Sequence, residues 1–346
     1  MTRTRVAVVG LGAIAVEHLD RLTTRDDVEV VGICDLSPTL GRAMAERYGV
    51  GVVTVEAREL LDRVAPDAVH ILTPPGSHRE LVVSALTRGA HVLVEKPIAT
   101  DAAAYAHMRS TAVESGRLLV ENHNYLFTPA LQVAAAEVGP AGRLGELVGL
   151  EVSFTGVMGG GYADPEVEHF AHRLPGGALR NFLTHPVSIA VGLLGPPEQV
   201  HAVRRRLDPA FPSDDEVRVL LGMPAAWASL GVSRHQRPPR FTVALEGTRG
   251  RAEVDVFGNT LVLDDGEDSA VAAATRDGLV RLRRAGTLLG RALSGRKDPF
   301  AGFGVLLDRF YGAARGEQPS PVPLEQLDAV VATVDAVLDR EVSTCA

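Results

Sequence analysis

The residues whose types and spacing could do chemistry fall in three places. The first is Val6-Ala7-Val8-Val9-Gly10-Leu11-Gly12-Ala13-Ile14-Ala15, an apolar run that enters a G-x-G-x-x-A turn. Glycine at 10 permits the tight turn, glycine at 12 lets a pyrophosphate approach the backbone, and Ala15 is small enough for a helix to pack on the strand. A helix opening here would offer its free N–H groups and the positive end of its dipole to phosphate. A second apolar run ends at Cys34-Asp35, about twenty residues beyond the turn, where a carboxylate can accept from adenosine ribose hydroxyls and would repel a 2′-phosphate. Asp35 can also cap a helix, because Pro38 follows; the two roles are compatible. No arginine stands in Leu36-Ser37-Pro38, so the pattern favours NAD(H) over NADP(H).

The second place is Val94-Glu95-Lys96-Pro97, where an apolar run ends in charge. An ammonium at the carboxyl end of a buried strand could stabilise a developing alkoxide and pass a proton. It could equally be a surface lysine after an ordinary strand. The third is Asn181-Phe182-Leu183-Thr184-His185, whose polar ends lie four apart and share one face of an apolar helix pattern. His185 could move a proton there or be a core histidine with its hydrogen bonds satisfied.

Elements of two kinds must position these residues. Strand-like runs at Arg5–Val9, Val28–Cys34, Ala68–Leu72, His91–Val94 and Leu118–Val120 alternate with helical spacing at Ala13–Leu22, Thr39–Arg47, His78–Arg88 and Ala102–Ser115. That alternation predicts parallel strands with crossover helices, and the uninterrupted apolar strands predict burial on both faces. After Pro129 the texture changes. A helix is expected at Ala130–Val138 and an apolar one at Leu179–Leu194, with strands at Leu147–Val157, Glu198–Arg204, Val217–Leu221, Ala226–Val232, Phe241–Leu245, Ala252–Val256 and Thr260–Leu263. Helices return at Phe303–Ala314 and Leu324–Asp339. The expected class is α/β: a doubly wound Rossmann domain over residues 1–124, then an α+β domain over 125–346 with a mostly antiparallel open sheet.

Composition narrows the partners. The chain has 346 residues, 46% hydrophobic and 23% charged, with a formal net charge of −8. An acidic chain has no general attraction to nucleic acid or anionic membrane. Basic residues outnumber acidic ones from Arg276 to Asp298, which reads as a solvated face or as an attractor for a phosphate-bearing ligand. Two cysteines, Cys34 and Cys345, make no disulfide framework or metal pair. Neither a secretory leader nor a membrane-spanning run is expected, which points to the cytoplasm.

Taken together, the glycine turn, Thr73-Pro74-Pro75-Gly76-Ser77-His78, Glu95-Lys96-Pro97, Asn124-Tyr125-Leu126-Phe127-Thr128-Pro129, Gly176-Gly177-Ala178-Leu179 with His185, and Glu246-Gly247-Thr248-Arg249-Gly250 resemble the Gfo/Idh/MocA oxidoreductases over nearly the whole chain. The resemblance implies an NAD-dependent enzyme acting on CH–OH groups of a sugar, cyclitol or nucleotide-linked sugar. It places Lys96 beside the nicotinamide and makes His185 its partner in proton handling. It adds Leu11, Ala13, Ile14, Thr73, Pro74, His78 and Glu95 to Gly10, Gly12 and Asp35 at the cofactor. It also puts Asn124, Tyr162, Arg173 and Asn181 at the substrate, implies no metal, and implies a homodimer or homotetramer through the second domain's sheet. The sequence departs from the family at Asn181 and Ser188, where many members carry aspartate, and at Leu126, often arginine. Asn181 can bond a hydroxyl but cannot take its proton, which leaves acid–base work to Lys96 and His185. Two other readings stand beside the dehydrogenase: a redox-assisted, NAD-dependent glycoside-cleaving enzyme, and a non-catalytic cofactor- or sugar-sensing protein of the same fold.

Overall fold

The computed structural model describes residues 3–156, 169–264 and 300–339. They form two compact units, one from Met1–Asn122 with Leu306–Leu327, the other from His123–Val305 with Asp328–Ala346.

The first unit runs β1 (Thr4–Val9), α1 (Ala13–Leu22), β2 (Val28–Cys34), α2 (Pro38–Tyr48), β3 (Val53–Thr54), α3 (Ala57–Val64), β4 (Ala68–Ile71), α4 (His78–Thr87), β5 (His91–Val94), α5 (Ala102–Ser115) and β6 (Leu119–Glu121). The strands are parallel in the order β3-β2-β1-β4-β5-β6. Val6, Ala7 and Val8 are fully buried, as an uninterrupted apolar strand between two helix layers must be. Helix limits follow local chemistry. Ser37 and Asp101 accept from Leu40 and Ala104 N–H groups at the starts of α2 and α5, and left-handed Gly49 and Gly116 end the same helices. The pair β3–α3 falls outside the sequence expectation. A two-residue strand carries no periodicity, and α3 buries only Leu60, Leu61 and Val64. Leu60 packs where a side chain on Gly32 would otherwise sit, 2.6 Å from an added Cβ.

The order of this sheet reverses between β1 and β4, so the carboxyl ends of β1, β4 and β5 border a topological switch point, where open α/β sheets bind ligands. Gly10, Thr73 and Glu95 directly follow or closely trail those three strand ends.

The second unit contains α6 (Pro129–Ala136), β7 (Leu147–Thr155), α7 (Ala178–Leu194), β8 (Gln199–Arg205), β9 (Glu216–Gly222), β10 (Trp227–Ser233), β11 (Arg240–Gly247), β12 (Arg251–Asp255) and β13 (Thr260–Asp264). Its sheet has the order β13-β12-β11-β7-β10-β9-β8, antiparallel except for the β7–β10 pair. Helix α7 packs on β7 and β10. Alternation on β9 is clean, with Val217, Val219 and Leu221 buried and Arg218 and Leu220 outward. The outward face also shows Trp227, 53% exposed, and Val203. Helices α8 (Ala301–Ala314) and α9 (Leu324–Asp339) close the described chain. No described helix is long and apolar enough to cross a membrane.

Candidate active site

The glycine turn is built from one backbone requirement and one carboxylate. Gly10 sits at φ +91°, and an added Cβ would lie 2.9 Å from the Leu72 and Thr73 backbones, so only glycine fits. Its N–H donates to the Cys34 carbonyl at 2.9 Å. Asp35 ties the turn to the end of β2, because Oδ2 accepts from Leu11 N–H and Oδ1 from Ser37 N–H, each at 2.8 Å. Gly12 caps α1 without a side chain, and nothing lies within 4 Å of a Cβ added there. Ala13 is exposed and Ile14 half-buried, while Ala15 packs inward with no exposure. These residues fit a dinucleotide. The first N–H groups of α1 open onto free space at Gly12 for a pyrophosphate, and each Asp35 oxygen keeps a lone pair for a ribose hydroxyl.

The loop after β4 is braced from within. Thr73 Oγ1 accepts from the Ser77 hydroxyl at 2.7 Å, and Pro74 is exposed. His78 is fully buried, with Nε2 2.7 Å from the Thr73 carbonyl and Nδ1 3.0 Å from that of Ile98. Burial pushes its pKa down, against the pull of those two carbonyls. A neutral ring donates once, and the shorter contact makes Thr73 the acceptor. His78 therefore pins the loop that follows β4.

Glu95 and Lys96 follow β5, and the Lys96–Pro97 peptide is cis. The Glu95 carboxylate is held from three sides. Asn122 Nδ2 donates to Oε1 at 2.5 Å, His18 Nε2 lies 3.2 Å from the same oxygen, and Lys96 N–H donates to Oε2 at 3.2 Å. Burial alone would raise its pKa. The hydrogen bond from His18, the electrostatic attraction of His18 and Lys96, and the hydrogen bond from Asn122 outweigh that and hold it below the ordinary carboxylate value. Glu121, buried behind the next turn, accepts from Ile98 N–H at 2.7 Å. Lys96 is half-buried, and burial presses its pKa below the usual lysine value against the opposing charges of Glu95 and Glu121. Such an ammonium gives up its proton more readily than an exposed one.

The second unit holds its candidates differently. Asn181 and His185 lie one turn apart on α7, 1% and 7% exposed. The His185 ring meets the edge of Tyr125 at 4.7 Å between centroids and of Phe154 at 5.6 Å. Asn124, buried, opens the 3-10 turn Asn124–Phe127 that carries Tyr125. Two departures from the family pattern have local reasons. Ser188 donates its hydroxyl to the His185 carbonyl at 2.9 Å, and Leu126 is packed in the core. Arg173 stands exposed at the end of a 3-10 turn. Tyr162, the basic stretch 276–298 and Cys345 lie outside the described residues.

Known proteins match both units. A family model of NAD-binding Rossmann oxidoreductases matches residues 4–123, and a Gfo/Idh/MocA C-terminal domain matches residues 133–253. The chain belongs to the Gfo/Idh/MocA family. Within it, an uncharacterized oxidoreductase of Rhizobium meliloti is 28% identical over 335 residues, 94% of this chain and 93% of its own. A dTDP-3,4-didehydro-2,6-dideoxy-alpha-D-glucose 3-reductase of Saccharopolyspora spinosa is 30% identical over 255 residues, 72% of this chain and 74% of its own. Levoglucosan dehydrogenase, solved with NADH and levoglucosan, shares the fold at a TM-score of 0.79 and 20% identity, covering 97% of this chain and 96% of its own. This Gfo/Idh/MocA member is thus an oxidoreductase whose first unit is an NAD-binding Rossmann domain.

Sequence reasoning missed two residues that hold Glu95. Asn122 follows β6 with no pattern of its own, but His18 left a signal. It interrupts the buried stripe Ala15, Leu19 and Leu22 of α1, where an imidazole needs a polar partner.

Proposed function

We propose that this chain interconverts a secondary hydroxyl and a ketone on a sugar, cyclitol or nucleotide-linked sugar, with Lys96 and His185 handling the hydroxyl's proton. NAD(H), when bound, takes or supplies the hydride at the carbon bearing that oxygen. The first unit, which takes in Leu306–Leu327 beyond the expected residues 1–124, serves as the cofactor-binding domain, and the rest of 125–346 as the substrate-binding domain. Gly10, Leu11, Gly12, Ala13 and Ile14 receive the pyrophosphate, Asp35 the adenosine ribose, and Thr73, Pro74, Glu95 and Lys96 border the nicotinamide end, with His78 bracing the loop.

In the oxidative direction the neutral Lys96 amine accepts the hydroxyl proton. In the reductive direction its ammonium returns that proton to the forming alkoxide. His185 hydrogen-bonds the reacting oxygen, and Asn124, Tyr162, Arg173 and Asn181 bond the remaining hydroxyls. The observation that carries this reading is Lys96 itself, half-buried at the carboxyl end of β5 and pressed toward its neutral form by burial. Its residue type adds support. Of 35 basic residues only Lys96 and Lys297 are lysines, and arginine cannot release a proton in a protein. The outward face of the second sheet, with Trp227 and Leu220 exposed, is where a second copy would dock to make the homodimer or homotetramer.

The test is turnover of a panel of polyols, keto-sugars and nucleotide sugars, followed by NADH absorbance. We expect at least one substrate, and a loss of about 10²–10⁴-fold in kcat for Lys96→Ala with NADH binding retained. Unchanged turnover in that variant would overturn the assignment.

A further inference from the structure

A chain of buried hydrogen bonds runs from Glu95 into the core of the first unit. His18 Nε2 faces Glu95 Oε1 at 3.2 Å, His18 Nδ1 faces His70 Nδ1 at 2.8 Å, and His70 Nε2 faces the Tyr311 hydroxyl at 2.8 Å. Neither ring of the two histidines nor Tyr311 has any solvent exposure. His18, His70 and Tyr311 come from α1, β4 and α8, and Glu95 follows β5, so four separate segments place four polar groups in one line.

The proton pattern along this line follows from donor counting. An imidazole with one proton donates through one nitrogen and accepts through the other. If the phenol donates to His70 Nε2, His70 must carry its proton on Nδ1 and donate to His18 Nδ1. His18 then carries its proton on Nε2, aimed at the carboxylate. The opposite direction would require Glu95 to be a protonated donor, yet Glu95 already accepts from Asn122 and from the Lys96 N–H. A carboxyl that accepts twice beside an ammonium is ionised. A doubly protonated His18 would put a second charge into the line, so the first pattern is the one that leaves no buried charge along it except Glu95.

We propose that His18, His70 and Tyr311 are positioning residues whose hydrogen-bond chain keeps Glu95 ionised and fixed beside Lys96. This deepens the reading above, in which Lys96 moves the proton, and rests on that reading only for its meaning in turnover. Charged and titratable groups among the described residues flank both ends of the line. Lys96, Glu121 and His78 act near Glu95, while Arg25 lies over the Tyr311 ring at 5.2 Å with Asp27 beside it.

The first measurement needs no substrate. Ring ¹⁵N shifts in the labelled full-length protein should show His70 as the Nδ1–H tautomer and His18 as the Nε2–H tautomer. In Tyr311→Phe, which removes one oxygen, His70 should become a mixture of tautomers. The same tautomer on both rings, a second proton on either, or an unmoved His70 in Tyr311→Phe would overturn the chain.

The second measurement reads Glu95. With only two lysines, ¹³C-lysine labelling gives two side-chain signals, and Lys96 senses the protonation of its neighbour. In the native protein that acid-side step should lie below the ordinary glutamate value of 4.5. Losing the His18 donor destabilises the ionised carboxylate, so in His18→Leu the step should rise by about one pH unit. His18→Gln, which keeps an N–H near the ε position, should bring it back, and Glu95→Gln should abolish it. The acid limb of kcat should move with the step while KM stays put. A step unmoved in His18→Leu would overturn the proposal. If the native protein turns over no sugar at all, the functional reading fails while the tautomers and the Lys96 signal still decide the chain.

Discussion

The two units hold their candidate residues by opposite means. In the first, Glu95 and Lys96 sit among hydrogen bonds and charges. One carboxylate receives Asn122, His18 and a backbone N–H, and a second, Glu121, stands behind them. In the second, His185 sits among rings. Tyr125 and Phe154 each meet its ring edge-on, Phe241 meets Tyr125 edge to face and Phe154 tilted at 4.3 Å between centroids, and its polar neighbours along the helix are the neutral Asn181 and Ser188. The first arrangement tunes protons and the second fixes a shape.

The comparison breaks most visibly at Phe241. This side chain on β11 is fully buried against Tyr125, Phe154 and Phe257. Truncating it should leave a cavity and cost about 3–5 kcal/mol of stability. We expect Phe241→Ala to lower the unfolding midpoint sharply in a urea titration while the Kd for NADH, a property of the other unit, stays within about twofold. A large loss of NADH affinity would show that the two halves are not built independently.

Much of this division was legible in the sequence. The continuous apolar strands, the glycine turn and Asp35 announced the parallel sheet and its cofactor edge, because each depends on neighbours in the chain. The second sheet's strands fell within a residue or two of expectation through their period-two burial. What escaped depends on distance along the chain. Tyr311 meets His70 across 241 residues, and no local pattern foretells a hydrogen bond between a strand and a helix so far apart. Pair β3–α3 escaped for the opposite reason, being too short to show a period. His18 and His70 were visible as polar residues in apolar runs. Their partners were not.

A second way to sharpen the comparison is acid. Burial, with a smaller contribution from the neighbouring His18, pushes the His70 pKa well below 6.5, and burial lowers His78 as well. The folded values thus lie beneath the unfolded one, so the unfolded chain binds the proton first. Stability from these groups is complete above about pH 6.5 and falls as pH drops toward the folded values, by up to about 1.4 kcal/mol per unit for each group. Tm should therefore decline between about pH 7 and about pH 5, before ordinary carboxylates titrate. In His70→Leu, paired with Tyr311→Phe so that no donor is stranded, the decline should be shallower. A level Tm across that range would show that the buried histidines are charged in the native state.

The smallest expected effect lies at the far end of the cofactor edge. Asp35 fastens the glycine turn through Leu11 and Ser37, and in the function proposed above its remaining lone pairs take a ribose. Asp35→Asn keeps one accepting oxygen and can retain the bond to Leu11, but it removes the charge. A hydrogen bond from a hydroxyl to a charged acceptor exceeds its neutral counterpart by about 1 kcal/mol, so the Kd for NADH should rise by roughly fivefold to tenfold. The repulsion of a 2′-phosphate disappears with the same substitution, so NADPH should bind more tightly than it does to the native protein. Isothermal titration with the two cofactors separates these arms. A rise for NADH without a gain for NADPH would mean that Asp35 acts through the turn alone, and the charged half of the molecule would then owe its cofactor choice to the shape of the glycine loop.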